Sequence, residues 1–204
     1  MEKSVQNLMA DLSPAPQRSE ANLGQRVRQI RKARGWTLQD LADRTNLAVS
    51  TISKMERGEI SLTYDRFMRL AQGLGMDVGE LFDADAQSFT QGSVAVTRAG
   101  DGPLHQSSTY DYEMLAAELT GKHMVPMVGH IKARSVAQFD QSIPHPGEEF
   151  VYVISGVLTV NIDGRPPVTL EKGDNIYFDS AMGHAYVTAG DEDAIVLGVC
   201  WKPG

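Results

Sequence analysis

Apolar positions in the N-terminal part of the chain recur at helical spacing. Leu23, Val27 and Ile30 fall at i, i+4 and i+7, one face of a helix that stops near Gly35. Thr37-Leu38-Gln39-Asp40 has the form of a capping box, a hydroxyl at the helix start with an acid three positions on. Leu38, Leu41 and Ala42 then give the buried face of a second, short helix. Asn46-Leu47-Ala48 makes a tight break, and Ile52 and Met55 mark a third helix that runs to Arg57 and stops at Gly58. Leu62, Phe67, Leu70, Ala71 and Leu74 predict a fourth helix ended by Gly73 and Gly75, and Val78, Leu81 and Phe82 predict a fifth.

After residue 87 the period changes from about 3.6 to about 2. Runs at 94–97, 114–120, 150–154, 158–162 and 195–201 are rich in strand-forming residues and punctuated by Gly and Pro. Short, turn-bounded strands of this kind predict a sandwich or barrel of about 105 residues. The pleat places Glu149, Val151 and Val153 on one face of their strand and Phe150 and Tyr152 on the other. Residues 1–20 carry Pro14 and Pro16 and no periodicity, which reads as a mobile arm. The expected organisation is therefore an arm (1–20), an all-α five-helix domain (21–83), and a connector with an all-β domain (84–204).

Composition narrows the class. In 204 residues, 42% hydrophobic and 22% charged, no apolar run approaches the roughly 20 residues of a membrane span. The opening Met1-Glu2-Lys3-Ser4 leads into polar sequence without the apolar core of a secretory signal, so a cytoplasmic protein is expected. The one cysteine, Cys200, allows no internal disulfide and no cysteine-based zinc cluster; it reads as a small buried residue of a late strand.

The net charge of -7 divides unevenly: +2 over residues 1–82 and -9 over 83–204. Within 18–57, nine basic residues face four acidic ones. A basic segment joined to an acidic body suggests that the first touches a polyanion and the second does not.

Two helices joined by a tight turn, the second presenting polar and basic side chains, suit the major groove of double-stranded DNA. With Ile52 and Met55 inward, Val49, Ser50, Thr51, Ser53, Lys54 and Arg57 face out. The stretch from Thr37 to Gly58 closely resembles the helix-turn-helix of the lambda-repressor-like (Xre/Cro) family. That resemblance implies a phosphate contact by Gln39 beside the Thr37 cap, base reading by Val49, Ser50 and Lys54, and backbone contacts by Thr51 and Arg28, with Ser53 and Arg57 on the same face. Glu56 is expected to pair within the domain. The chain departs from the family at Ala48, where Ser or Thr is frequent, so the third helix either lacks that cap or begins at Ser50.

The string His145-Pro146-Gly147-Glu148-Glu149-Phe150-Val151-Tyr152-Val153-Ile154-Ser155-Gly156 resembles the first cupin motif, and Gly173-Asp174 through His184 the second. By that resemblance the β domain is a cupin (double-stranded β-helix) barrel in which His145, Glu149 and His184 converge, while Ile143 stands where the family has a further histidine. Two imidazoles and a carboxylate on one face suit Fe, Ni, Zn or Mn as a divalent metal; the same side chains could instead serve a metal-free ligand pocket through hydrogen bonds. Arg134, Tyr152, Tyr177 and Tyr186 are candidates for lining an effector pocket. His105, His123 and His130 have no partner at ligand spacing and read as surface or core residues.

The whole order, helix-turn-helix then a single cupin, resembles the Xre-cupin regulators. It implies a bacterial one-component switch without catalytic residues: a homodimer that reads a two-fold-related DNA operator while each barrel binds a small-molecule effector. The alternative is a non-haem Fe(II) oxygenase of the hydroxypropylphosphonate epoxidase type, whose His-Glu-His triad His145, Glu149 and His184 match.

Overall fold

The computed structural model describes residues 20–60, 62, 64–76, 80–81, 87–139, 142 and 144–201. The arm reading of 1–20 lies outside the described residues except for Glu20, as do Val78, Phe82 and Ile143. The chain divides into two compact units: Met1–Ser61 with Met68–Pro103 and Ala116–Thr120, and Leu62–Phe67 with Leu104–Leu115 and Gly121–Gly204.

Four helices, not five, are delineated among the described residues: α1 (Glu20–Ala33), α2 (Leu38–Thr45), α3 (Val49–Glu56) and α4 (Tyr64–Leu74). Of the expected fifth helix only Glu80 and Leu81 are described, both with helical backbone. The capping box at α2 forms: the Asp40 amide donates to Thr37 Oγ1 at 3.1 Å, and the Asp40 carboxylate accepts from the Thr37 amide at 2.7 Å. α2 ends on Asn46 in the left-handed region (φ 51°). α3 starts at Val49 behind Ala48, whose methyl group offers no cap, so the missing cap is not answered by a later start. Gly35 and Gly58 stop α1 and α3 with φ of 69° and 70°, a backbone that glycine takes without Cβ strain.

Leu23, Val27, Leu41, Ala42, Leu47, Ile52 and Met55 form the core around the first three helices. α1 and α3 meet closely, since a Cβ on Gly24 would stand 2.2 Å from the Met55 carbonyl oxygen. On the outer side Trp36 receives the guanidinium groups of Arg34 and Arg44 over its ring, at 4.9 and 4.1 Å from the centroid.

The β-rich unit contains two sheets. Six antiparallel strands take the order β2 (Leu104–Gln106), β3 (Tyr110–Met114), β5 (Met124–Ile131), β11 (Ala194–Trp201), β6 (Glu148–Ser155), β9 (Asn175–Asp179). Three more take the order β10 (His184–Thr188), β7 (Leu158–Ile162), β8 (Val168–Leu170). A short parallel pair, β1 (Gln87–Ser88) with β4 (Leu119–Thr120), belongs to the first unit. Burial alternates along β3, β5, β7 and β11, one face inward and one outward. The Tyr110 hydroxyl ties β3 to β10, donating to the Tyr186 carbonyl at 2.7 Å and accepting from its amide at 2.9 Å.

Residues 94–97 are not a strand: Val94 and Val96 are 82% and 63% exposed, and β propensity without a partner strand does not make one. The run at 114–120 splits, with β3 ending at Met114 and β4 beginning at Leu119. β5 is long although Pro126 and Gly129 interrupt its sequence. β3 ends at the Met114–Met127 pair, and just beyond it the Leu115 amide donates to the Pro126 carbonyl at 3.0 Å, so the proline sits at the end of that ladder and serves it as an acceptor.

Candidate functional site

On the helical unit, α3 turns Ile52 and Met55 inward while Ser50 and Lys54 are exposed and Val49, Thr51 and Ser53 are half-buried. Arg28 is exposed on α1, and Gln39 is exposed on α2 with its amide donating to Asp43 Oδ1 at 2.8 Å. Thr37 is spent on the cap. Arg57 is exposed at the end of α3, its guanidinium on Glu59 (2.5 and 2.8 Å) and on the Ser53 hydroxyl. Glu56 pairs within the domain: Arg31 Nε and Nη2 meet its two carboxylate oxygens at 2.6 and 2.7 Å, and Arg31 also caps the Trp36 carbonyl at 2.9 Å. Arg31 and Glu56 are thus both internal, which removes one charge of each sign from the stretch and leaves its net charge unchanged.

On the β-rich unit, Glu149 comes from the start of β6, His145 from the turn before it, and His184 from the first position of β10. Glu149 Oε2 lies 3.0 Å from His145 Nε2 and 3.3 Å from His184 Nε2, and the imidazole centroids are 5.2 Å apart. Glu149 Oε1 accepts the Tyr186 hydroxyl at 2.6 Å. His184 Nδ1 lies 2.9 Å from the Met182 carbonyl, a contact that requires Nδ1–H and turns the Nε2 lone pair of the neutral ring toward Glu149. Burial alone would raise the Glu149 carboxyl, but hydrogen bonds from His145 and His184 overcome it and hold the group at about 2. Burial works to lower the His184 imidazole, yet the Glu149 carboxylate raises it above its ordinary value. The phenol of Tyr186 is pushed well up by burial, then by Glu149, and stays a donor.

Two imidazole nitrogens aimed at one carboxylate oxygen need positive charge between them, from a proton or a metal ion. The donors present, nitrogen and carboxylate oxygen with a fixed His184 tautomer, fit a divalent transition metal. Beside them is a cavity of about 40 Å³ whose wall includes Tyr110, Tyr112, Met127, Phe139 and Val196. That volume is two or three water positions at about 15 Å³ each.

The other three side chains read as pocket candidates lie elsewhere. Tyr152 alternates to the outer face of β6 and is exposed, as the pleat predicts. Tyr177 is exposed on β9, with its hydroxyl on Glu148. Arg134 is spent on a turn, donating to the carbonyls of Gly190, Asp191 and Glu192 and pairing with Asp193 at 2.7 Å. Tyr186 alone of the four lines the cavity. Of the remaining histidines, His105 is buried, bonded to the Leu62 carbonyl and stacked on Phe67; His130 pairs with Asp193 at 3.0 Å; His123 stacks on Trp201.

The structure adds Cys200, which stands opposite Glu149 in the β6–β11 register. One ligand atom each from His145, Glu149 and Cys200 lie within 4.8 Å of one another. No sequence spacing reveals this, because register alone brings the two strands together.

Residues 27–81 match the helix-turn-helix family model and residues 136–200 match the cupin domain model. The HTH-type transcriptional regulator SutR of Escherichia coli (strain K12) is 28% identical over 168 residues, 81% of this chain and 86% of that protein. Among solved structures, an HTH_3 family transcriptional regulator from Vibrio cholerae is 20% identical, covers 91% of this chain and 97% of its own, and superposes with a TM-score of 0.62. Hydroxypropylphosphonic acid epoxidase from S. wedmorenis, at 19% identity, 90% and 99% coverage and a TM-score of 0.49, is a more distant neighbour. Among the described residues no helix is long and apolar enough to cross a membrane. The chain thus joins an N-terminal helix-turn-helix domain of the Xre kind to a C-terminal cupin domain.

Proposed function

We propose that the protein senses a small molecule in its cupin domain and reports it as a change in affinity for operator DNA. A helix-turn-helix joined to a cupin, in a chain similar over most of its length to a transcription regulator, makes it a DNA-binding regulator with a cupin domain. The observation that carries the reading is α3, whose apolar face is buried while Ser50 and Lys54 stand outward on a short helix after a tight turn.

In this reading Val49, Ser50 and Lys54 meet base edges, while Arg28, Gln39, Thr51, Ser53 and Arg57 hold phosphates, Arg57 by exchanging Glu59 for the DNA, and Thr37 serves the DNA face by capping the helix that carries Gln39. Arm 1–20, reading domain 21–83 and sensing domain 84–204, the last a double-stranded β-helix barrel, divide the work. The protein acts in the cytoplasm as a homodimer on a two-fold operator. His145, Glu149 and His184 hold a divalent metal, which supplies positive charge and coordination positions to an effector with oxygen donors. Tyr186 orients the Glu149 carboxylate, and the apolar cavity wall limits the effector to a few atoms near that centre.

The test is a selection of genomic fragments by the purified chain, sequenced with and without a chelator. Recovery of one two-fold-symmetric sequence is expected, and a chelator effect on its recovery ties the metal to the switch. Recovery of only salt-sensitive, sequence-independent fragments overturns the regulator. A second reading, an Fe(II) oxygenase, is favoured by the convergence of His145 and His184 on the Glu149 carboxylate. It requires oxygen consumption by the Fe(II)-loaded protein with a small organic substrate.

A further inference from the structure

We infer that Cys200 supplies a sulfur ligand to the metal of the cupin site, making it a mixed nitrogen, oxygen and sulfur centre that favours borderline-soft ions such as Zn(II) and Co(II). The inference rests on the reading that this site holds a metal. Cys200 and Glu149 are direct partners across β11 and β6, and their strands alternate so that both side chains are buried on the same inner face. Their ligand atoms, with one from His145, lie within 4.8 Å of one another, a span that modest side-chain rotation closes onto one ion. Glu149 Oε1 is engaged by the Tyr186 hydroxyl, and the oxygen facing the histidines is Oε2.

The donor set has a chemical consequence. A thiolate beside imidazole and carboxylate donors suits Zn(II) and Co(II) and discriminates against Mn(II) and Mg(II).

The full chain, stripped with a chelator and kept reduced with a phosphine, is titrated with Co(II) under anaerobic conditions and followed by absorption. The expected result is one equivalent of Co(II) with visible ligand-field bands and a near-ultraviolet thiolate-to-cobalt charge-transfer band. Cys200→Ser should keep the ligand-field bands, lose the charge-transfer band and bind Co(II) at least about tenfold more weakly. Stoichiometric Co(II) on the unaltered chain without the charge-transfer band overturns the sulfur ligand and leaves the metal site standing. Absence of bound Co(II) overturns both. The band on the unaltered chain decides the matter even where the variant fails to fold.

Discussion

Glu149 shows how one residue takes its character from its surroundings. It is buried, which by itself favours the neutral acid, yet the hydrogen bonds and charges of the two imidazoles on Oε2 keep it ionised. In the metal-free protein its depressed value contributes stability above the ordinary 4.5, and this is lost as the pH falls from there toward about 2. His184 works in the other sense: its raised value contributes fully below the ordinary 6.5 and is lost as the pH rises through the folded value. Both contributions are complete between 4.5 and 6.5. In chelator, Glu149→Gln should therefore cost most near pH 5.5 and progressively less toward pH 3 and pH 8, with an acid limb on the order of 3 kcal/mol. Urea unfolding of both proteins at those three values checks it; a difference that does not change with pH would show that the cluster is not ionised as described.

At the scale of elements, local rules were legible and non-local ones were not. The Thr37–Asp40 capping box and the stops at Gly35 and Gly58 depend on neighbours in sequence, and each stands where the sequence places it. The strand expected at 94–97 fails because β structure needs a partner, which a run of valines does not specify. His145 and Glu149, four residues apart, could be read together, whereas Cys200 joins them only through the β6–β11 register. Arg31 was invisible for a related reason, since a charge on a helix reads as outward until its partner is known. It is 8% exposed and Glu56 6%, and their bidentate pair locks α1 to α3. Glu56→Ala leaves a guanidinium without its anion in the core and should cost about 3 kcal/mol. Arg31→Met with Glu56→Leu removes both charges and should cost less than Glu56→Ala alone. Chemical denaturation of the two variants checks the order, and a double variant that is the weaker of the two would make the pair a net source of stability.

For the molecule as a whole, the proposed switch is a coupling free energy between the reading helix and the cupin site, and any such coupling is reciprocal. An occupant of the cupin can shift operator affinity only by its own difference in affinity for the free and the DNA-bound protein. If Zn(II) tightens operator binding by some factor, operator DNA must tighten Zn(II) binding by the same factor. Lys54→Ala separates this from changes in folding. Lys54 is exposed at the last turn of α3, so its side chain is not part of the buried core. The variant should lose about 1 to 3 kcal/mol of operator affinity where Lys54 reads a base, or show a salt slope smaller by about one where it meets a phosphate. Its Zn(II) affinity without DNA should equal that of the unaltered chain, and the factor by which saturating operator shifts that affinity should persist. Titrations of metal with and without operator, and of operator with and without metal, close the cycle. Unchanged operator affinity in Lys54→Ala would remove α3 from the groove, and unequal factors around the cycle in the unaltered chain would mean that more than one metal or DNA site is being filled.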